Sequence, residues 1–309
     1  MRAARIGGRQ TAVGQLTQTG REVSTSTIPR SLVWATDIDV MAADRVVERR
    51  DRYLIIRSPS HPEFYWGNLL LLDDPPGAGD GPRWERWFDA EFGREPRVAH
   101  RTFAWDGVDG ELGAAQEEFI CRGYGLEETV GLVAASDGIQ PHPRENREVV
   151  VRALDLDGDD DLWEQVVELQ VASRGDQFDE QVHRDFCRHH LRDTRALFRA
   201  GRGAWFVALD PNEREVVGSC GVVVTGGRGR FRLVDTAAAH RRKGICSRLV
   251  VEAAHRATDV HGARRFVIAA DPGYHALGLY ESLGFRRAER VAGVCRLPDG
   301  SATSGELGR

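Results

Sequence analysis

The chain has 309 residues, 41% of them hydrophobic and 29% charged, with a net charge of −5. That length is long for one compact domain and suits two of about 150 residues. The acidic balance gives no support to a nucleic-acid surface, and no apolar run approaches the roughly 20 residues that span a bilayer. Five cysteines (Cys121, Cys187, Cys220, Cys246, Cys295), widely spaced and without a C-x-x-C pair, argue against a disulfide framework or a zinc ribbon and suit a reducing cytoplasm.

The first thirty residues carry five arginines and Glu22 as their one acid, without the apolar centre of a signal peptide, and are expected to form a disordered leader. A first block, 31–146, then shows strand-like runs at 53–57 ("YLIIR"), 66–73 ("WGNLLLLD") and 97–105 ("RVAHRTFAW"). Helical segments are expected around 84–92 and 114–122, and "EETVGLVAA" near Val130 closes the block as a strand. The polar, Pro-containing stretch 136–146 reads as a linker.

The second block, 147–298, opens with the strand "REVVVRALD", followed by a helix that Asp159 to Asp161 can cap and a longer helix over 180–200. Three strand runs come next, at 204–210, 215–224 and 230–236, with "PNERE" and "TGGRG" as hairpin turns. A helix from Gly244 to Thr258, a strand at 264–270, a short helix at 275–283 and a strand at 287–297 complete the block, with 299–309 as a flexible tail. The order β-α-α-β-β-β-α-β-α-β predicts a mixed α+β (α/β) fold whose sheet has helices on its faces.

Lys243 is the only lysine of the chain, and it sits in "HRRKGIC" just before an apolar helical face formed by Ile245, Leu249, Ala253 and Ala257. A helix N-terminus offers unpaired N–H groups and the positive end of the macrodipole. With Gly244 for close backbone approach and Arg241, Arg242 and Lys243 for charge, the loop predicts an anion site suited to a pyrophosphate. It is no P-loop, because the glycine spacing and a Ser or Thr after the lysine are missing.

Together with "ADPGYHALGLYESLGFRRAERV", this segment resembles the GNAT superfamily of acyl-CoA-dependent acyltransferases. Arg241, Gly244 and Cys246 fill that family's R/Q-x-x-G-x-G/A pattern, with Cys in place of the last small residue. Ala276, Leu279, Tyr280, Gly284 and Phe285 fill A-x-x-L-Y-x-x-x-G-F about thirty residues later, beyond a strand. The first block is similar to a second, degenerate copy. Its loop "DPPGAGDGP" carries Asp73, Asp74 and Asp80 where a phosphate site needs positive charge. The resemblance thus implies two tandem GNAT-like domains, each a mixed, mostly antiparallel sheet with helices on both faces, an arrangement similar to that of the mycothiol synthases.

It implies an N-acetyltransferase that uses acetyl-CoA and a small amine acceptor, the amine belonging to a small molecule or a peptide, cytoplasmic, a monomer or homodimer, with no nucleic-acid or membrane partner; the alternative is a non-catalytic acyl-CoA-binding or regulatory module of the same fold. Acetyl-CoA would lie on Val234, Asp235, Thr236, Arg241, Arg242, Lys243, Gly244, Ile245, Cys246, Ala276 and Tyr280, where the two central parallel strands splay apart. Tyr280 matches the family's general acid toward the leaving thiolate. Asp235 is the candidate base, with His240 and His275 as alternatives. His183, Cys187 and His190 fall at helical spacing, but no fourth ligand accompanies them and no metal is expected.

Overall fold

The computed structural model describes residues 26–41, 43–173, 180–273 and 276–298. The expected leader and tail lie outside these residues, apart from 26–30. The first half contains α1 (Leu32–Val40), β1 (Val46–Arg49), β2 (Tyr53–Arg57), β3 (Leu69–Leu72), α2 (Gly81–Phe92), β4 (Arg101–Trp105) and β5 (Gly125–Ala135). The second contains β6 (Val150–Ala153), α3 (Asp160–Ala172), α4 (Glu180–Arg199), β7 (Gly203–Leu209), β8 (Val216–Thr225), β9 (Arg228–Thr236), α5 (Ile245–His261), β10 (Arg265–Ala270), α6 (Leu277–Ser282) and β11 (Arg286–Arg296).

All eleven strands join one sheet, in the order β1-β2-β3-β4-β11-β5-β10-β9-β8-β7-β6. Two pairs, β3–β4 and β9–β10, are parallel, and the other pairs are antiparallel. The sequence suggests a sheet for each half; the structure fuses them because the halves exchange their last strands. β5, from the first half, pairs with β10 of the second, and β11, from the second half, pairs with β4 of the first. The exchanged strands then pair with each other from Arg286↔Val133 to Cys295↔Gly125.

Helices α1, α3 and α4 cover one face, and α2, α5 and α6 cover the other. Each half buries apolar side chains on both faces, as its β-branched strands and amphipathic helices require. The linker stretch is less free than its composition suggests. Its Asn146 N–H donates to the Gly244 carbonyl and its Gln140 N–H to that of Leu283. The helix foreseen over 114–122 is a π-helical turn, Ala115–Phe119.

α1 was not foreseen, and its stability comes from far along the chain. Ser31 caps it locally, accepting from the Trp34 N–H. Its first turn has no acidic residue of its own. Instead the Glu289 carboxylate, at the irregular point of β11, accepts from the N–H groups of Leu32 and Val33 at 2.8 and 3.1 Å. A Cβ on Gly131 would meet Val33 at 2.6 Å, so glycine lets α1 lie close across β5. From there Asp39 and Asp37 reach Arg228 and Arg230 of β9 at 2.7 and 2.6 Å. A first-half helix thereby forms a wall beside the second half's central strand.

Candidate active site

The parallel pair β9–β10 is joined only at Arg228↔Arg265, Gly229↔Phe266 and Arg230↔Val267. Beyond that point β9 continues for six residues to Thr236 and β10 for three to Ala270, without pairing, so a wedge opens toward their C-terminal ends. A bulge against β8, between Ser219 and Gly221, adds twist to β9 there, and Leu233 takes a left-handed φ of 47°. The corresponding pair in the first half stays closed. β3 and β4 pair to their last residues, Leu72↔Trp105, and the Asp106 N–H continues the ladder by donating to Leu72.

At the mouth of the wedge, the loop between β9 and α5 turns through two left-handed residues, Arg242 at φ 60° and Gly244 at φ 77°. Among the described residues, no acceptor takes the amide N–H groups of Arg242, Lys243, Gly244, Ile245, Cys246 or Ser247. Such a run of outward N–H groups at the start of a 17-residue helix forms an anion-binding nest. Arg241, Arg242 and Lys243 are exposed around it.

Gly244 meets a constraint that the sequence reading, in which it lets the backbone approach a pyrophosphate, did not include. A Cβ there would stand 2.1 Å from the Arg144 carbonyl oxygen and 2.8 Å from the Asn146 nitrogen. Asn146 also donates its side-chain amide to the Lys243 carbonyl at 3.0 Å. The linker therefore holds the loop from behind, a role that nothing in the sequence signalled. Replacing Gly244 with Val should displace the loop and cut CoA affinity on the order of 10- to 100-fold, from the ~1–3 kcal/mol of a strained left-handed residue. Calorimetric titration of a folded Gly244→Val protein that gave wild-type affinity would remove the loop from the site.

The remaining sequence-predicted residues divide between the two faces of the sheet. Val234, Ile245, Cys246, Ala276 and Tyr280 share the apolar cluster under α5 and α6, where Tyr280 is 2% exposed and its ring lies edge-on to Phe285. Asp235 lies on the opposite face, facing α4, because it pairs with Ser219 and Ser219 in turn with Val207 of the α3–α4 side. Thr236 ends β9, and its buried hydroxyl has no hydrogen-bond partner among the described residues; the same holds for the Ser219 hydroxyl. His240 is half-buried in a short turn after the strand, and His275 lies outside the described residues.

Burial pushes the Asp235 carboxyl up to about 6, with Arg241 acting in the opposite direction. Burial, and the nearby Asp235 charge, push the thiols of Cys187 and Cys246 up to about 12, and that of Cys220 well above its usual range. His190 faces Arg232, and His183 stacks on Phe186; among the described residues no group of three side chains is placed to hold a metal ion.

The anion site of the first half is filled by the protein itself. The Glu118 carboxylate accepts from the Gly79 and Gly81 N–H groups at 2.7 and 2.8 Å, just where α2 begins, and Pro82 contributes no N–H. Asp73 and Asp74 pair with Arg49 and Arg52.

Comparison with known proteins agrees with this geometry. Residues 163–285 match the model of the "Acetyltransferase (GNAT) family". No curated protein matches the sequence. Among solved structures, the chain is similar to a functionally unknown conserved protein from Staphylococcus epidermidis, at 12% identity and TM-score 0.65, over 82% of this chain and 94% of that one. It is also similar to a GCN5-related N-acetyltransferase from Kribbella flavida, at 13% identity and TM-score 0.56, over 85% and 91%. A tandem GNAT protein from the clavulanic acid biosynthesis pathway aligns at 14% identity and TM-score 0.52, over 90% and 92%. At these identities the structural likeness is one of fold. Residues 163–285 thus match the acetyltransferase (GNAT) family model, within a chain that has the tandem GNAT fold.

Proposed function

We propose that the protein is an N-acetyltransferase that moves an acetyl group from acetyl-CoA to the amine of a small molecule by direct attack. The observation that carries this reading is the wedge between β9 and β10, with an unclaimed nest of N–H groups at its mouth and Asp235 and Tyr280 on opposite faces of the sheet. The pyrophosphate of CoA would sit on the nest, and its pantetheine arm would enter the wedge on the side of α5 and α6. The acceptor would approach from the side of α4.

In the reaction, Asp235 takes a proton from the incoming ammonium or from the attacking amine. The nitrogen lone pair attacks the thioester carbonyl, and a backbone N–H of Val234, Asp235 or Thr236 donates to the oxyanion. The tetrahedral intermediate collapses with cleavage of the C–S bond, and Tyr280 gives its proton to the departing thiolate. A route through an acyl-cysteine is disfavoured, because thiols held near 12 are protonated at neutral pH and make poor nucleophiles.

Incubation with acetyl-CoA and a panel of amines, followed by free-thiol release and mass detection of the acetylated product, tests the reading. Transfer to at least one amine is expected. Tight CoA binding without thiol release from any amine would make the chain a binding module instead.

One CoA per chain is the expected stoichiometry, since Glu118 occupies the first half's helix start and β3–β4 leaves no wedge. Two equivalent sites by calorimetry would overturn it.

A further inference from the structure

On the α4 side of the sheet, a cavity lies between the two halves. It is lined by Asp37 of α1, His61 of the first half, His190 and Asp193 of α4, and Arg230 and Arg232 of β9. Its charges are paired with one exception. Arg230 meets Asp37 at 2.6 Å, and Asp193 meets His61, whose pKa that hydrogen bond raises. Arg232, only 8% exposed, hydrogen-bonds neutral groups alone among the described residues, and Asp37 and Asp193 act on it only through their field. It donates to the Val40 carbonyl at 3.1 Å, to the Thr194 hydroxyl at 3.4 Å and to the His190 ring nitrogen. Accepting that bond, and buried beside a guanidinium, His190 is held neutral.

A buried guanidinium that no carboxylate contacts keeps much of its desolvation cost, and here burial and Arg230 push the pKa down to about 9 although Asp37 and Asp193 act in the opposite direction. Its fork suits a carboxylate, which it can bind through two parallel N–H···O bonds. The position is also suggestive. The bulge sets Arg232 opposite Gly221 and Asp235 opposite Ser219, two residues apart on β8, so the two share a face with their backbones roughly 7 Å apart. α4 covers both, with His190 over Arg232 and Cys187, one turn earlier, within the field of Asp235.

We propose that the cavity beside Arg232 binds the carboxylate of the acceptor, so that the substrate class is an amino carboxylate whose amine is presented to Asp235. This inference rests on the acetyl-transfer reading for the role of Asp235, while the carboxylate site itself stands on the cavity and on a buried guanidinium that no carboxylate hydrogen-bonds. Three arginines at alternate positions of "RGRFRLV" are the sequence signal that could have found it.

The test uses matched pairs that differ only in charge: glycine and glycinamide, β-alanine and β-alaninamide, 4-aminobutyrate and its amide. The best acid should exceed its amide in kcat/KM by about 10- to 100-fold or more, as expected when a site built for a charged group loses it. In Arg232→Met that preference should collapse, chiefly through KM, and Arg232→Lys, which keeps the charge without the fork, should restore part of it. Equal use of acids and amides by the wild type, or a preference unchanged in a folded Arg232→Met protein, overturns the proposal. Calorimetry of the same pairs with the CoA-bound wild-type protein separates the two readings. Acids that bind more tightly than their amides without turnover support the carboxylate site and count against acetyl transfer. Transfer to amines with no acid preference in binding or rate does the reverse.

Discussion

Tyr280→Phe should lower kcat on the order of 10²–10⁴-fold while leaving acetyl-CoA affinity nearly unchanged. The substitution keeps the ring among Ile245, Leu277 and Phe285 and removes only the hydroxyl. A CoA thiolate leaves with the pKa of a thiol, near 8.5, and a phenol near 10 is a suitable donor to it. At 2% exposure Tyr280 is also packed as a core aromatic, and that role gives a different outcome. A purely structural tyrosine would show near-normal turnover and a stability change of about 1 kcal/mol where the hydroxyl has a buried partner. The assay needs an acceptor for which chemistry limits the rate, because slow product release would hide the loss. With melts showing a folded variant, wild-type kcat under those conditions would end the assignment.

Asp235→Asn should cost a similar factor, and its diagnostic is the pH profile. A carboxyl pushed up to about 6 is mostly ionised at pH 7 and can act as a base, yet it is protonated below pH 6. The wild-type kcat/KM should therefore rise about tenfold per pH unit below 6 and level off above it, apart from any rise due to the acceptor's own deprotonation. The Asn variant should lack that limb. Stability runs the opposite way. The folded state holds the Asp235 proton more tightly than the unfolded chain, so this carboxyl's stabilising contribution is greatest at acid pH and falls as pH rises from about 4 to about 6. At pH 7 the Asn variant, freed of a buried charge, should melt no lower than wild type. A profile that keeps the limb near pH 6 in Asp235→Asn would end the assignment of Asp235 as the base.

Much of this was legible in the chain itself, and for local reasons. The β-branched run of β8, the four-residue spacing of Ile245, Leu249, Ala253 and Ala257, and the glycine before α5 are short-range patterns, so the second half's elements fall where periodicity places them. Charge was equally readable: an arginine-lysine loop on one helix start and aspartates on the other separate an anion site from a filled one. What the sequence could not show depends on contacts far apart in the chain. Helix α1 owes its cap to Glu289, 257 positions from Leu32. The exchange of β5 and β11 sets distant strands side by side, and no local pattern encodes which neighbour a strand takes. The rear support of Gly244 by Arg144 and Asn146, and the burial of Arg232 against neutral hydrogen-bond partners, likewise come from packing. Residue type and spacing determined that a basic, glycine-containing loop opens a helix beside a strand whose partner follows that helix. Only the tertiary structure decided which face each side chain took and which buried guanidinium no carboxylate contacts, because desolvation and pairing are properties of surroundings that the fold assembles.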